Sequence, residues 1–257
     1  MEDCCRCGIF RRMIFIEGKL SSHEGGVEVI SRLRKIATIC GALVCASLLG
    51  LILGMTQAET RGAGYATQLP ALKIAIARAS LIAQTFFQFF QLLGFKGPWA
   101  TTLSLGLGIF LNNALVASII AFFPPLILKA KPFSDKYLAR IYYERGIWLF
   151  KPIGWKPYKI LSMTLPIYGL ALQCYLIGGI ALMSGMRFSG AEFLPFETAS
   201  ITALCIFAVA PALSENPDQN LSRYFNILKK LLPLIFLTLF AAAVLEAHSL
   251  VIMQHLP

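Results

Sequence analysis

Residues 103–128 (LSLGLGIFLNNALVASIIAFFPPLIL) form one uncharged, apolar run that is long enough to cross a lipid bilayer as a helix. Two features of this run are costly in hydrocarbon: the paired amides Asn112 and Asn113 near its centre, and the paired prolines Pro124 and Pro125 near one end. Such groups need hydrogen-bond partners from neighbouring protein. The run therefore predicts a helix in the interior of a membrane bundle.

The composition extends this prediction to the whole chain. Of 257 residues, 57% are hydrophobic and 14% are charged, whereas a soluble domain carries about 25% charged residues. Several other apolar runs are also long enough to cross a bilayer. Together they predict an all-α fold class: a polytopic integral membrane helical bundle of about five transmembrane helices plus an amphipathic or re-entrant helix.

The predicted domain organisation is a basic amino-terminal segment, 1–35, followed by a transmembrane domain, 36–257. Residues 56–70 are rich in Gly, Thr and Gln, which predicts a loop. The five predicted spans lie at about 36–55, 99–128, 160–185, 193–213 and 231–253.

Residues 71–95 resemble a further span but carry polar side chains in a regular pattern. At 100° per residue, one narrow stripe of a helix carries Lys73, Ala77, Ser80, Gln84, Gln88 and Gln91. The opposite surface is rich in Leu, Ile and Phe. This pattern is typical of a helix that lies at the membrane interface, or of a re-entrant helix packed against the bundle.

The distribution of basic residues orients the spans. With the amino terminus in the cytoplasm, 18 of the 23 Lys and Arg residues fall in the predicted cytoplasmic segments 1–35, 129–159 and 214–230, as the positive-inside rule requires. A sixth span at 71–95 would move the eight basic residues of 129–159 to the outside. The pattern favours a multi-pass protein of the cell membrane with its N-terminus in the cytoplasm and its C-terminus outside.

The predicted cytoplasmic loop 129–159 interleaves its basic residues, among them Lys151, Lys156 and Lys159, with tyrosines and tryptophans. Such a mixture can neutralise and stack on nucleic acid, here as translocated cargo. The favoured interpretation is a loop with a surface helix that lies on the anionic headgroups of the inner leaflet, which makes membrane lipids the first expected partner. The net charge of +10 favours the lipid interpretation in a membrane protein.

Ionisable and amide side chains at membrane depth are the candidate functional residues. The predicted topology places Asn112, Asn113 and Gln173 near the midplane, and Glu197, Glu246 and His248 nearer the outer end. One interpretation is a polar pathway, with an outer vestibule formed by the carboxylates, the histidine and the glutamine stripe of 71–95. The alternative is that these side chains only join neighbouring helices by hydrogen bonds.

Soluble catalytic signatures are missing from the sequence: it has no phosphate-binding loop, no HExxH and no G-x-S-x-G. We therefore expect no catalytic residues, no cofactor and no enzyme. The spacing of Cys4 and Cys7 is weak evidence for a metal site, because no second CxxC completes it.

Gly50 and Gly54 form a GxxxG pair, which is typical of close helix packing or of a dimer interface.

Four short motifs occur in an order that resembles the stage II sporulation protein M family. They are FLNN at 110–113, GGIALMSG at 178–185, LPFETA at 194–199 and AVLEA at 243–247. The likeness covers roughly residues 36–253. The family's P-H-G-x-x-E pattern reads here as Pro195-Phe196-Glu197, without the His and Gly.

This resemblance implies a helical integral membrane protein that acts as a scaffold or pore-like component of a membrane complex. It selects Asn112, Asn113, Glu197 and Glu246 as family positions. The leading functional prediction is therefore a non-enzymatic component of such a complex, with other subunits or further copies of the chain as partners. The alternatives are a channel subunit of a DNA- or protein-translocation apparatus and a proton-coupled small-solute transporter.

Overall fold

The computed structural model describes residues 25–148, 151–183, 192–214 and 217–255. Cys4 and Cys7 lie outside these ranges, so the possible metal site remains a prediction. The chain forms two compact units, 1–40 and 41–257. The described part of the first unit is helical, and everything that follows concerns the second.

The described residues contain helices and no strand. They form seven α-helices: α1 (Gly25–Arg61), α2 (Pro70–Leu92), α3 (Pro98–Phe133), α4 (Ala139–Arg145), α5 (Trp155–Met183), α6 (Leu194–Leu213) and α7 (Pro217–His255).

Five of these helical stretches are long and apolar enough to cross a membrane: Ile36–Arg61, Pro98–Arg145, Trp155–Met183, Leu194–Leu213 and Asn220–Ile252. The all-α fold and the multi-pass membrane class are thereby confirmed. Helix α2 is not among the five.

Residues 56–70, which were predicted to be a loop, are helical through residue 68. Helix α1 continues through residues 56–61, and a 3-10 segment, Gly62–Gln68, follows it. Helix α3 runs beyond the predicted end at residue 128, and a π-helical turn, Ser134–Leu138, connects it to α4. The helix persists because Lys131 pairs with Asp135, and Arg140 with Glu144, at i,i+4 spacing.

Helix α3 lies at the centre of the bundle and contacts α2, α5, α6 and α7. Antiparallel packing brings the C-terminal end of α3 beside the first turns of α5 and α7. There the Lys131 ammonium lies over the Trp155 ring, and Lys129 lies over the Phe225 ring. We call this end of the bundle the basic end. The end at which α3 begins is called the opposite end.

Helices α1 and α5 cross at glycines. A Cβ built on Gly50 or Gly54 would collide with the backbone of Ala171 or Tyr175, and one on Gly178 would collide with Leu51. The GxxxG pair therefore lets two helices of the same chain approach closely. The structure corresponds to the close-packing alternative and not to the dimer interface, because α5 already covers Gly50 and Gly54.

The paired prolines of α3 explain one buried tyrosine. Pro125 has no N–H, so the carbonyl of Ala121 loses its partner within the helix. The Tyr224 hydroxyl of α7 donates a hydrogen bond of 2.6 Å to that carbonyl. The Tyr224 ring stacks on Phe207, with centroids 4.7 Å apart and planes 9° apart. The α3 carbonyl that Pro125 leaves without a donor is thus satisfied by a hydroxyl of α7.

Candidate functional site: a polar cluster in a cavity of the bundle

A cavity of about 590 Å³ lies within the bundle, lined by α2, α3, α5, α6, α7 and the 3-10 segment. Most of its wall is Ala, Leu, Ile and Val, and a small set of polar side chains interrupts it. Pockets that bind small molecules have volumes of about 300–1,000 Å³ and this same composition. The polar members are Tyr65, Arg78, Ser80, Asn112, Asn113, Tyr168, Gln173, Glu197 and Glu246.

Helix α2 reaches the cavity because it packs lengthwise and antiparallel along α3. A Cβ built on Gly108 would lie 2.5 Å from the Ala79 carbonyl oxygen and 2.8 Å from the Ala83 Cβ. Only glycine permits this approach. The packing places Arg78 beside Asn112. Whether 71–95 lies at the membrane interface or is re-entrant stays a prediction.

A chain of hydrogen bonds joins the polar side chains of three helices. The Arg78 guanidinium donates to the Asn112 Oδ1 from Nε at 2.9 Å and from a terminal nitrogen at 2.7 Å. The Asn112 Nδ2 donates to the Asn113 Oδ1 at 3.2 Å. The Asn113 Nδ2 then donates to the Glu197 Oε1 at 3.4 Å. The helices α2, α3 and α6 are thus connected through amides.

The remaining two predicted residues complete this cluster. The Gln173 side chain of α5 hydrogen-bonds the Glu197 carboxylate. Glu246 of α7 lines the same cavity, near enough to Glu197 for their charges to interact. Among the described residues, Glu246 has no hydrogen-bond partner. The cavity thus holds two carboxylates and one guanidinium, and one of the carboxylates is unpaired.

The 3-10 segment covers the cavity through Tyr65. The Tyr65 hydroxyl donates to the Leu176 carbonyl at 3.0 Å, and the Tyr175 hydroxyl donates to the Tyr65 carbonyl at 2.9 Å. A Cβ on Gly179 would collide with the Tyr65 ring, so a glycine is needed there. Burial, helped by the neighbouring Tyr175, raises the pKa of Tyr65 to about 12. Tyr65 therefore remains a hydrogen-bond donor across the physiological pH range.

Toward the basic end the cavity is closed by tight packing. Leu128, Leu204 and Cys205 are fully buried, as are Pro124 and Pro125. In this conformation the described residues leave no path from the cavity to the basic end.

Five of the six predicted intramembrane residues thus lie together: Asn112, Asn113, Gln173, Glu197 and Glu246. His248 does not join them, since it is exposed and does not line the cavity. The glutamine stripe is also exposed, because the alanines of α2, and not Gln84, Gln88 and Gln91, face α3. The expected vestibule of histidine and glutamines is therefore wrong.

The basic residues of 129–159 lie away from the cavity. Lys151 and Lys156 are exposed. Lys159 is half-buried, and its ammonium donates to the carbonyl of Ser214 at 2.5 Å, at the C-terminus of α6. Lys159 thus satisfies an unpaired carbonyl group of a helix end.

Three residues of the site were missed in the prediction from sequence: Tyr65, Arg78 and Tyr168. Arg78 counted only as an external charge. A single arginine inside the apolar stretch 71–95 was itself the signal, because a cation among apolar residues needs a buried partner. Tyr168 gives no sequence signal, since tyrosines are common in membrane helices.

Among the described residues, no group of three or more His, Cys, Asp or Glu side chains is placed to hold a metal ion. Comparisons with protein-family models, with curated proteins and with solved structures find no match for this chain. The resemblance to the stage II sporulation protein M family stays a prediction.

Proposed function

We propose that the protein is a membrane carrier that binds a small solute in the central cavity and couples its movement to a proton at Glu246. The observation that supports this most strongly is the unpaired Glu246 carboxylate, which faces a cavity of ligand size beside Glu197. A carboxylate at membrane depth without a partner is expensive. A proton or a cationic group of a ligand would supply the missing partner.

The same cavity gives less support to a scaffold or to a channel subunit of a translocation apparatus. A pure scaffold needs helix contacts, but it does not need an unfilled cavity lined by convergent polar groups. A pore for nucleic acid or protein needs a continuous path, whereas Leu128 and Leu204 fill the half of the bundle near the basic end. The scaffold role remains the prediction from family resemblance, and the carrier is the function that the site favours.

A carrier must open the packed half toward the basic end in part of its cycle. That half contains prolines in four of the five helices that could span the membrane: Pro124 and Pro125 in α3, Pro166 in α5, Pro211 in α6 and Pro233 in α7. Prolines remove a helical hydrogen bond and permit kinks. The position of these prolines fits helices that bend between the cavity and the basic end.

Cys205 offers a test that needs no knowledge of the solute. Its side chain is fully buried between the cavity and the basic end, in contact range of Gly169. A variant that keeps Cys205 as its single cysteine is reconstituted in liposomes and treated with a membrane-impermeant maleimide. Denatured protein gives the signal for full labelling.

The carrier proposal expects slow but complete labelling of Cys205, because each molecule passes through a conformation open to the basic end. It expects labelling to change in Glu246→Gln, and to stay unchanged in Glu192→Gln, whose glutamate is exposed and does not line the cavity. A folded protein whose Cys205 stays unlabelled for hours, while the denatured sample reacts fully, would contradict the proposal and favour a scaffold.

A further inference from the structure

The cavity reaches the surface of the bundle between α2 and α5. Three lining residues at this place are also exposed on the outside: Ile76 of α2 (46%), Ile119 of α3 (45%) and Tyr168 of α5 (51%). Helix α3 forms the floor between them. We call this opening the lateral mouth.

The lateral mouth lies at mid-membrane depth. Tyr168 is near the middle of α5, about 20 Å along the helix from either end. A bilayer has a hydrocarbon core about 30 Å thick, so an opening halfway along a spanning helix faces lipid chains. A water-soluble solute cannot arrive by this route, whereas a molecule dissolved in the bilayer can.

The Tyr168 hydroxyl is a second, independent sign of a ligand. It forms no hydrogen bond with any described residue. Water is absent at this depth, and Tyr168 is too far from either end of α5 to reach a headgroup region. An unpaired hydroxyl in hydrocarbon is unfavourable. A polar atom of a molecule in the mouth would satisfy it.

The two ends of the cavity differ in chemistry. At the lateral mouth the wall is apolar apart from Tyr168 and Ser80, which suits an alkyl chain. At the other side lie Glu197, which Asn113 and Gln173 already bond, and Glu246, which has no bonded partner. The one guanidinium, Arg78, is directed to Asn112. The group still to be satisfied is the Glu246 carboxylate, which either a proton or a cation can neutralise.

We propose that the ligand is a single-chain amphiphile with an ammonium head group, which enters from the bilayer through the lateral mouth and places its head at Glu246. This inference rests on the proposed carrier function and names its substrate class. Because a proton and an ammonium group compete for the same carboxylate, entry of the ligand releases the proton of Glu246. Exchange of the two is the coupling step of the carrier.

The test uses two probes with the same chain and opposite head groups, dodecylamine and dodecanoate, each with a dansyl group at the far end of the chain. Full-length protein in lipid nanodiscs is titrated with each probe, and empty nanodiscs give the background. Dansyl emission shifts to shorter wavelength in an apolar cavity. We expect saturable binding of the amine, at least about 10-fold tighter than that of the carboxylate.

Two variants locate the route and the head group. Ile119→Trp fills the lateral mouth and should weaken amine binding about 10-fold. Leu126→Trp is its control, since Leu126 is exposed on the same helix two turns away and does not line the cavity. Glu246→Gln should remove the preference for the amine over the carboxylate.

Tighter binding of dodecanoate, or unchanged amine binding in Ile119→Trp, would overturn the amphiphile inference. The carrier proposal would then still stand if Cys205 becomes labelled. Absence of saturable binding by both probes together with an unlabelled Cys205 would refute both.

Discussion

Replacement of Tyr224 by phenylalanine tests the packing that closes the basic half of the bundle. Only the hydroxyl is removed, and the stack of the ring on Phe207 is kept. The Ala121 carbonyl, which Pro125 already deprives of its helical donor, then has no partner.

The expected loss of stability follows from three estimates. A typical hydrogen bond contributes about 0.5–1.5 kcal/mol, and an unsatisfied buried carbonyl costs about 1–3 kcal/mol. Polar bonds between membrane helices average about 0.6 and reach about 1.7 kcal/mol. We expect Tyr224→Phe to lower the free energy of unfolding by about 1.5 kcal/mol, because the carbonyl cannot be reached by water.

Reversible unfolding in mixed micelles with increasing dodecyl sulfate measures this difference. Tyr143→Phe is the control; Tyr143 is 75% exposed, and its replacement should change stability by less than about 0.5 kcal/mol.

A double-mutant cycle tests whether the Tyr224 hydroxyl replaces the helical hydrogen bond that Pro125 removes. Pro125→Ala supplies an N–H to the Ala121 carbonyl, so Tyr224→Phe should cost less than about 0.5 kcal/mol in that background, a coupling of about 1 kcal/mol. If the two replacements are simply additive, the Tyr224 hydroxyl does not compensate for the proline.

Three further predictions concern the packing around the site. Gly54→Val should destabilise the protein by about 1–3 kcal/mol through collision with the Tyr175 backbone, while Gly41→Val, where a Cβ meets nothing within 4 Å, should have little effect in the same unfolding assay. Tyr65→Phe should lose about 0.5–1.5 kcal/mol. The pKa of Tyr65 is raised from 10.0 to about 12. The stabilisation by the Tyr65 hydroxyl is therefore fully present below pH 10 and disappears as the pH rises through 12. If the difference in free energy of unfolding between the wild type and Tyr65→Phe grew above pH 10, this expectation would be wrong. Lys159→Met should cost about 0.5–1 kcal/mol by freeing the Ser214 carbonyl, and Lys156→Met, at an exposed position, should not; equal effects of the two would remove the capping role.

The cavity cluster was largely predictable because polar side chains are costly in hydrocarbon and therefore need partners inside the bundle. Asn112, Asn113, Gln173, Glu197 and Glu246 stand out in apolar runs, and antiparallel packing of neighbouring spans brings them to a similar depth.

The errors came from contacts that one-dimensional patterns do not carry. His248 is two residues from Glu246, and a helix turns by about 200° over that distance, so it leaves the cavity face. The polar stripe of α2 suggested a functional face, yet the small residues opposite, Ala79 and Ala83, decide which face packs against Gly108. The partner of Gly50 and Gly54 could not be read from the motif, because a GxxxG pair does not specify whether the second helix belongs to the same chain.

Infrared difference spectroscopy can follow the exchange of a proton for a cationic ligand at Glu246. Spectra of the protein in nanodiscs are recorded before and after addition of dodecylamine, with Glu246→Gln as the reference that assigns the band and Glu192→Gln as the control. We expect the amine to convert the protonated Glu246 band to the carboxylate band in the wild type and in Glu192→Gln, and not in Glu246→Gln. If no band assigned to Glu246 changes on addition of the amine, Glu246 does not exchange its proton for the ligand.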